Sequence, residues 1–314
     1  MNAKSVSIAI AMIAALLTFA HAQDAESDKD ARDRARARRE AQLAAPGLES
    51  VAPKHKKSAE EIAKELANPA TPLSSLGNTL EYREFEGNLP GADGEESWVY
   101  SFQPSFPFSV GEGAILALRP AFPLVIDQPV PAAGGGFIDE GPELGDISFD
   151  FIYGKTAPNG LITLGGMFGV LPTHTDSAVG SDQWRFGPEA LIGVAKKWGV
   201  VGALVFHQWD VAGGSDEPST SLSSINYLYA IGLGNAYQLA SGPIITYDWQ
   251  ANSDDAWTVP LGTGLAKTII AGQMPIKLQG QVFYFVEQPD SFGPEWGFKL
   301  SVSPVVKNPF VRKK

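Results

Sequence analysis

From about residue 78 to residue 306, apolar and polar positions alternate with period two in one segment after another. Ile147, Phe149, Phe151 and Tyr153 alternate with Asp146, Ser148 and Asp150. Ile225, Tyr227, Tyr229 and Ile231 alternate with Ser224, Asn226 and Ala230. Trp296, Phe298, Leu300 and Val302 alternate with Gly297, Lys299, Ser301 and Ser303. Such a period means strands with one apolar and one polar face. The pattern predicts twelve of them: 78–88, 96–110, 114–126, 143–154, 160–172, 183–196, 199–211, 222–234, 241–251, 256–268, 274–287 and 294–306. The segment 199–211 is the least regular, because Phe206, His207, Gln208 and Trp209 fit neither register. Prolines at 104, 107, 120, 123, 188, 260 and 275 fall inside these segments and are expected at bulges or rims.

The connections alternate too. Those after odd-numbered strands, such as "PGADGEE" and "DQPVPAAGGGFIDEGPE", are mostly longer, acidic and rich in Gly or Pro. Those after even-numbered strands, such as "GEG" and "KTAPN", are mostly shorter. Six tryptophans, Trp98, Trp184, Trp209, Trp249, Trp257 and Trp296, sit at strand ends beside the longer loops. In "YDWQANSDDAW" two of them flank one acidic loop. A soluble sandwich gives no reason for this, whereas a membrane barrel gathers aromatics where lipid meets water. An even strand count, long outer loops and short inner turns point the same way. The fold class expected is all-β: a transmembrane antiparallel β-barrel of about 12 strands with a short helical N-terminal segment.

The N-terminus agrees with export. Lys4, the apolar run Val6 to Ala20 and the small-residue site "AHA" predict a signal peptide over 1–22. After it no run of about 18 apolar residues occurs, so any membrane span must be made of strands. Residues 23–57 form a charged arm, with Arg32, Arg34, Arg36, Arg38 and Arg39 among acidic residues, that is helical or disordered. Residues 58–77 hold a short periplasmic or lumenal helix and linker. There Ser58 and Glu61 make a capping box, Ile62 and Leu66 an apolar ridge, and the helix should stop at Asn68, before Pro69. The barrel follows at 78–306, then a basic tail at 307–314. The net charge of −11 argues against a nucleic-acid partner, and the absence of cysteine excludes disulfides and thiolate metal sites.

Several stretches are shared with a known group. "NPATPLSSLGN", "QPSFPFSVGEG", "GPEALIG" and above all "PIITYDWQANSDDAWTVPLGTGLAK" resemble the bacterial outer-membrane proteins labelled neuromedin-U-like. These are related to barrels described as transporters or placed in phenol-degradation clusters. The resemblance covers about residues 60–306 and implies an outer-membrane barrel that passes small, including hydrophobic, molecules. "EWGFKLSV" (Glu295 to Val302) is similar to the signal read by the barrel-assembly machinery, which implies that machinery as a partner during biogenesis. The tail after it departs from that signal by not ending on an aromatic residue.

Charges buried in the alternation are the candidate lumen lining: Arg119, Asp146, Asp150, Arg185, Glu189, Asp248, Lys277 and Lys299. No H-E-x-x-H, P-loop or G-x-S-x-G occurs, and Asp254–Asp255 falls short of a calcium loop. His55, His174 and His207 are followed by "KK", "TD" and "QW", so the His-x-Ser arrangement of barrel hydrolases is absent. A triad assembled across strands stays open, since triads are spatial. His174 is expected at the surface of a loop. The expectation is therefore not an enzyme, with no cofactor and no metal. It is a channel- or transporter-like barrel for passive passage of an unknown small solute, seated in outer-membrane lipid and gated by the helix or the Gly-rich 127–142 loop. The alternatives are a structural or surface-interaction barrel and, third, a membrane-bound hydrolase.

Overall fold

The computed structural model describes residues 57–311. The expected signal peptide, the charged arm up to residue 56 and the end of the basic tail lie outside the described residues. The chain forms the helix α1 (Ala59–Leu66) and then twelve wall strands. These are β1 (Ser74–Glu86), β2 (Glu96–Ser105, continued by Phe108–Gly111), β3 (Ala114–Pro131), β4 (Ile147–Thr156), β5 (Leu161–Leu171) and β6 (Gln183–Lys196). There follow β7 (Gly199–Gly213), β8 (Ser221–Gly234), β9 (Tyr237–Ser241, continued by Ile244–Asp248), β10 (Trp257–Ala271), β11 (Met274–Glu287) and β12 (Gly293–Val306). Each pairs antiparallel with the next, and β12 returns to β1 from Ser74↔Val306 to Glu86↔Gly293. Closure leaves no sheet edge, which is the condition for strands to cross a bilayer.

The faces follow from register. Val205 on β7 lies opposite Ile225 on β8, and both are exposed. Their neighbours in the other phase, Leu204 and Leu228, pack inside. Leu118, Phe151, Ile192 (66% exposed) and Leu261 belong to the same outward face, a ring of large apolar side chains that only lipid would cover. On β7, Gln208 is buried toward the lumen while Trp209 is exposed outward, so Phe206 and Gln208 share one face and His207 and Trp209 the other. The irregular segment is thus an ordinary strand whose polar and aromatic residues sit on both faces.

Four boundaries differ from the sequence expectation by four residues or more, the largest at β3, which runs on to Pro131 and not 126 because Gln128–Pro131 pair with Phe137–Glu140. β1 begins at Ser74, because Ser74 and Ser75 already pair with Val306 and Val305. The strand expected at 143–154 runs instead over Ile147–Thr156, and Glu143–Leu144 only touches β3. The strand expected at 241–251 lies at 237–248 and is broken at Gly242–Pro243. Among the prolines, Pro107 sits in the break of β2 and Pro260 at a register shift of β10. The capping box forms: Glu61 N donates to Ser58 Oγ (3.2 Å), and Ser58 N donates to the Glu61 carboxylate (2.7 Å).

Candidate functional site

The helix and the residues after it occupy the inner end of the lumen. Ile62 and Ala63 are buried, and Gln238 Nε2 of β9 donates to the Ala63 carbonyl (3.2 Å). Asn68 Nδ2 donates to Thr156 Oγ1 at the end of β4 (2.8 Å). Ala70 packs among Ile115, Ala117, Ile152, Ile162, Leu164, Leu191 and Val200, the inward residues of β3 to β7. Ala67 touches this cluster and a second one formed by Ala230, Ala240 and Ala266. Small residues at 63, 67 and 70 let the segment lie close against the wall. The segment is therefore docked inside the inner end of the barrel through small apolar residues, with Gln238 and Thr156 as its polar anchors.

Charges line the lumen further out. Arg119 Nε stands 3.4 Å from Asp150 Oδ2, its register partner across β3 and β4. Glu189 of β6 is 4% exposed and neither of its carboxylate oxygens has a hydrogen-bond partner among the described residues. On the opposite wall Glu81 receives Lys299 Nζ (2.8 Å) and Arg83 Nη2 (2.7 Å). Lys277 also faces inward, between Thr268 and Ser303, near the inner end, and makes no ion pair among the described residues. Glu81 and Arg83 were missed in the sequence, although "LEYREF" alternates and would have marked them.

Two sequence candidates belong to the outer mouth instead. Asp248 ends β9, accepts a bond from Gln250 N (2.9 Å) and shapes the hairpin turn. Asp146 lies in the loop before β4. It accepts Ser181 N (2.9 Å) and Thr173 N (3.0 Å), meets His174 Nδ1 at 2.8 Å, and faces Arg185 Nη2 at 3.6 Å. His174 is thereby tucked into the loop, its side chain 10% exposed, and is not the surface histidine expected. Burial pushes the Asp146 carboxyl up, but the bonds from Ser181, His174 and Thr173 outweigh it and hold the group below its ordinary value of 3.8. A depressed carboxyl contributes stability that is present above its unfolded value and lost as pH falls through the folded one. Pepsin nicking within 172–182 should therefore stay low at pH 4 and rise as the pH is lowered further, through the depressed folded value. An Asp146→Asn chain should be nicked at both. Equal resistance of the two chains at pH 4 would show that the carboxylate does not hold the loops.

The Gly-rich loop is an ordered hairpin, with Val130 opposite Ile138. Phe137 at its return packs on Phe292 (4.5 Å between centroids), which stacks on Phe85 (4.7 Å). All six expected girdle tryptophans stand at outer strand ends or just beyond them. Trp184, Trp209, Trp249 and Trp257 are exposed, while Trp98 and Trp296 are half-buried and pack against Tyr82 and Tyr284 (4.8 and 4.9 Å). Tyr247 holds Trp249 and Trp257 at 4.8 and 4.7 Å, which explains the paired tryptophans flanking the acidic loop.

The wall is not uniform. β9 pairs with β10 at Tyr237–Leu239 and again at Thr246–Tyr247, with nothing between. In that gap the Tyr227 and Tyr229 hydroxyls of β8 donate to the carbonyls of Pro260 (2.9 Å) and Gly262 (3.2 Å) on β10. On the other side of β9, Asn226 Nδ2 of β8 donates to the carbonyls of Gly242 and Pro243 (2.7 and 3.1 Å) and fills the break in the β8–β9 ladder. Side chains here replace the backbone ladder, so opening the gap breaks a few side-chain bonds and no continuous ladder.

No protein-family model and no curated protein matches this chain. Among solved structures it is similar to an outer membrane channel from Pseudomonas putida F1, at 14% identity and a TM-score of 0.58, over 76% of this chain and 98% of that one. Looser overlaps are with the NanC porin (9%, TM-score 0.44, 74% and 99%) and with outer membrane phospholipase A from Escherichia coli (12%, 0.40, 74% and 97%). At these identities the likeness shows the fold and no activity. The chain has the fold of a twelve-stranded outer-membrane β-barrel.

Proposed function

We propose that the barrel passes small molecules, apolar ones among them, across the outer membrane by diffusion, with the straight path narrowed by the docked helix so that it conducts only small ions, and a lateral way out for larger solutes between β9 and β10. This reading rests above all on the gap between β9 and β10 beside Gly242–Pro243, where the Tyr227 and Tyr229 hydroxyls stand in for the ladder. The apolar inner lumen around Ile152 and Leu164 suits a solute that then moves sideways into lipid. The resemblance to the neuromedin-U-like barrels and the channel fold are in keeping with it.

The test uses one glycine. A Cβ at Gly242 would meet nothing nearer than Asn226 Nδ2 at 3.5 Å and Leu228 Cβ at 3.9 Å, so a side chain there is tolerated and enters the lumen beside these residues, in front of the gap. Cells carrying the wild-type barrel should take up N-phenylnaphthylamine several times faster than cells without it. Gly242→Phe should return uptake to the background while leaving ion conductance unchanged. Dye flux that survives the substitution would sink the lateral route. A barrel passing neither dye nor ions would be the structural or surface-interaction barrel.

A further inference from the structure

On the outer face of β7 and β8, at the height of the tryptophan girdle, four polar side chains converge. His207 Nδ1 lies 2.8 Å from Ser223 Oγ, and His207 Nε2 lies 3.4 Å from Ser221 Oγ. Trp249 Nε1 donates to Ser223 Oγ at 2.9 Å. The Trp209 ring packs against the imidazole, with centroids 4.1 Å apart. Register fixes the arrangement: Ser223 is opposite His207 and Ser221 is opposite Trp209. These pairs are in phase with the exposed Val205 and Ile225, so the group faces lipid and not the lumen. The lumenal channel has no use for it.

We propose that Ser221, His207 and Ser223 form a hydrolase site for carboxylic esters of acyl lipids lying in the outer leaflet. The chemistry needs a serine hydroxyl, an imidazole nitrogen free to take its proton, and a third group that fixes the imidazole from its other side. In the reactive tautomer His207 Nδ1–H donates to Ser223 Oγ, which the indole N–H of Trp249 also holds, and Nε2 is the base facing Ser221. A separation of 3.4 Å is within the looser range of sites without substrate. Ser221 Oγ attacks the ester carbonyl carbon as Nε2 takes its proton. The C–O bond to the alcohol breaks, the alcohol leaves with that proton, and an acyl-Ser221 remains. Water then attacks the acyl group, again giving its proton to Nε2. The acyl–Oγ bond breaks, Oγ regains the proton, and a carboxylic acid is released. The place suits this substrate: the girdle is the level at which ester groups of lipids meet water. In sequence the site was hidden, because its histidine and serines lie on different strands and only the hairpin register joins them.

The experiment takes the folded barrel in detergent micelles, with single-channel conductance as the check that each variant is intact. The probes are a fluorophosphonate and p-nitrophenyl laurate. Expected are a fluorophosphonate adduct on the peptide bearing Ser221 and laurate release above the micelle blank. Ser221→Ala and His207→Gln should each lower release at least about a hundredfold with conductance unchanged. Ser223→Ala, which removes a positioning residue, should keep the Ser221 adduct and shift the pH–rate profile. Absence of both adduct and release from the conducting wild type would overturn the proposal. So would release that persists in Ser221→Ala, and an adduct on Ser223 would overturn the roles assigned.

Discussion

Replacing Ile62 with aspartate is expected to open the inner end of the barrel. Ile62 is 7% exposed on the buried face of α1. Its burial stabilises the docked helix by about 2 kcal/mol. A carboxylate at the same place adds a desolvation cost of a few kcal/mol with no partner provided. Together these amount to at least about 4 kcal/mol, roughly a thousandfold shift from docked to undocked helix. Single-channel recordings should show a larger and steadier conductance than wild type, approaching that of a chain lacking residues 23–72. Glu60→Gln, at the exposed Glu60–Lys64 pair, should change nothing measurable, since such surface pairs contribute little. An Ile62→Asp barrel with wild-type conductance would mean that the segment does not occlude the path.

Arg119→Ala is expected to be the most damaging change in the wall. The guanidinium faces Asp150, with Glu189 beside them, so removing it leaves two carboxyl groups with no cation between them. Breaking a buried pair costs about 3–5 kcal/mol, and the lower figure applies here because the two side chains keep 20% and 16% exposure. The heat-modified shift of the barrel on a gel should move to lower temperature. Pores that still fold should favour cations more than wild type. Adding Glu189→Gln should recover much of the loss, because the two sites share one field. If Arg119→Ala melts with wild type and keeps its selectivity, the group neither stabilises the wall nor sets the charge of the lumen.

These residues also show what the sequence could tell. Arg119 was legible because it interrupts an otherwise apolar strand and Asp150 because it lies on the polar face of a clean alternation, and their facing follows from the hairpin between β3 and β4. The bounds of β6 and β11 were legible for the same reason, a clean alternation ended by turn residues. β9 was not. Gly242–Pro243 breaks its alternation, and only the three-dimensional pairing shows that Tyr237–Ser241 and Ile244–Asp248 are one wall strand. The docking of α1 was likewise out of reach, since Ile62 and Leu66 say that the helix has an apolar side and nothing about what covers it. The alternation alone draws Asp146 into the lumen, on a strand that starts too early, and a small error of register changes which face a residue occupies.

The seam between β1 and β12 carries a further consequence, for the time course of assembly. It joins Ser74 to Val306 and Asn78 to Val302, residues 224 apart in the second case. Contacts of such span come late, after the local hairpins, because the long loop must be closed before any of them forms. Throughout that interval both outermost strands offer bare ladders to any neighbouring chain. The nascent sheet is thus most prone to aggregate just before it is complete, and a helper that shields those two strands would raise the yield of barrels without altering the finished product.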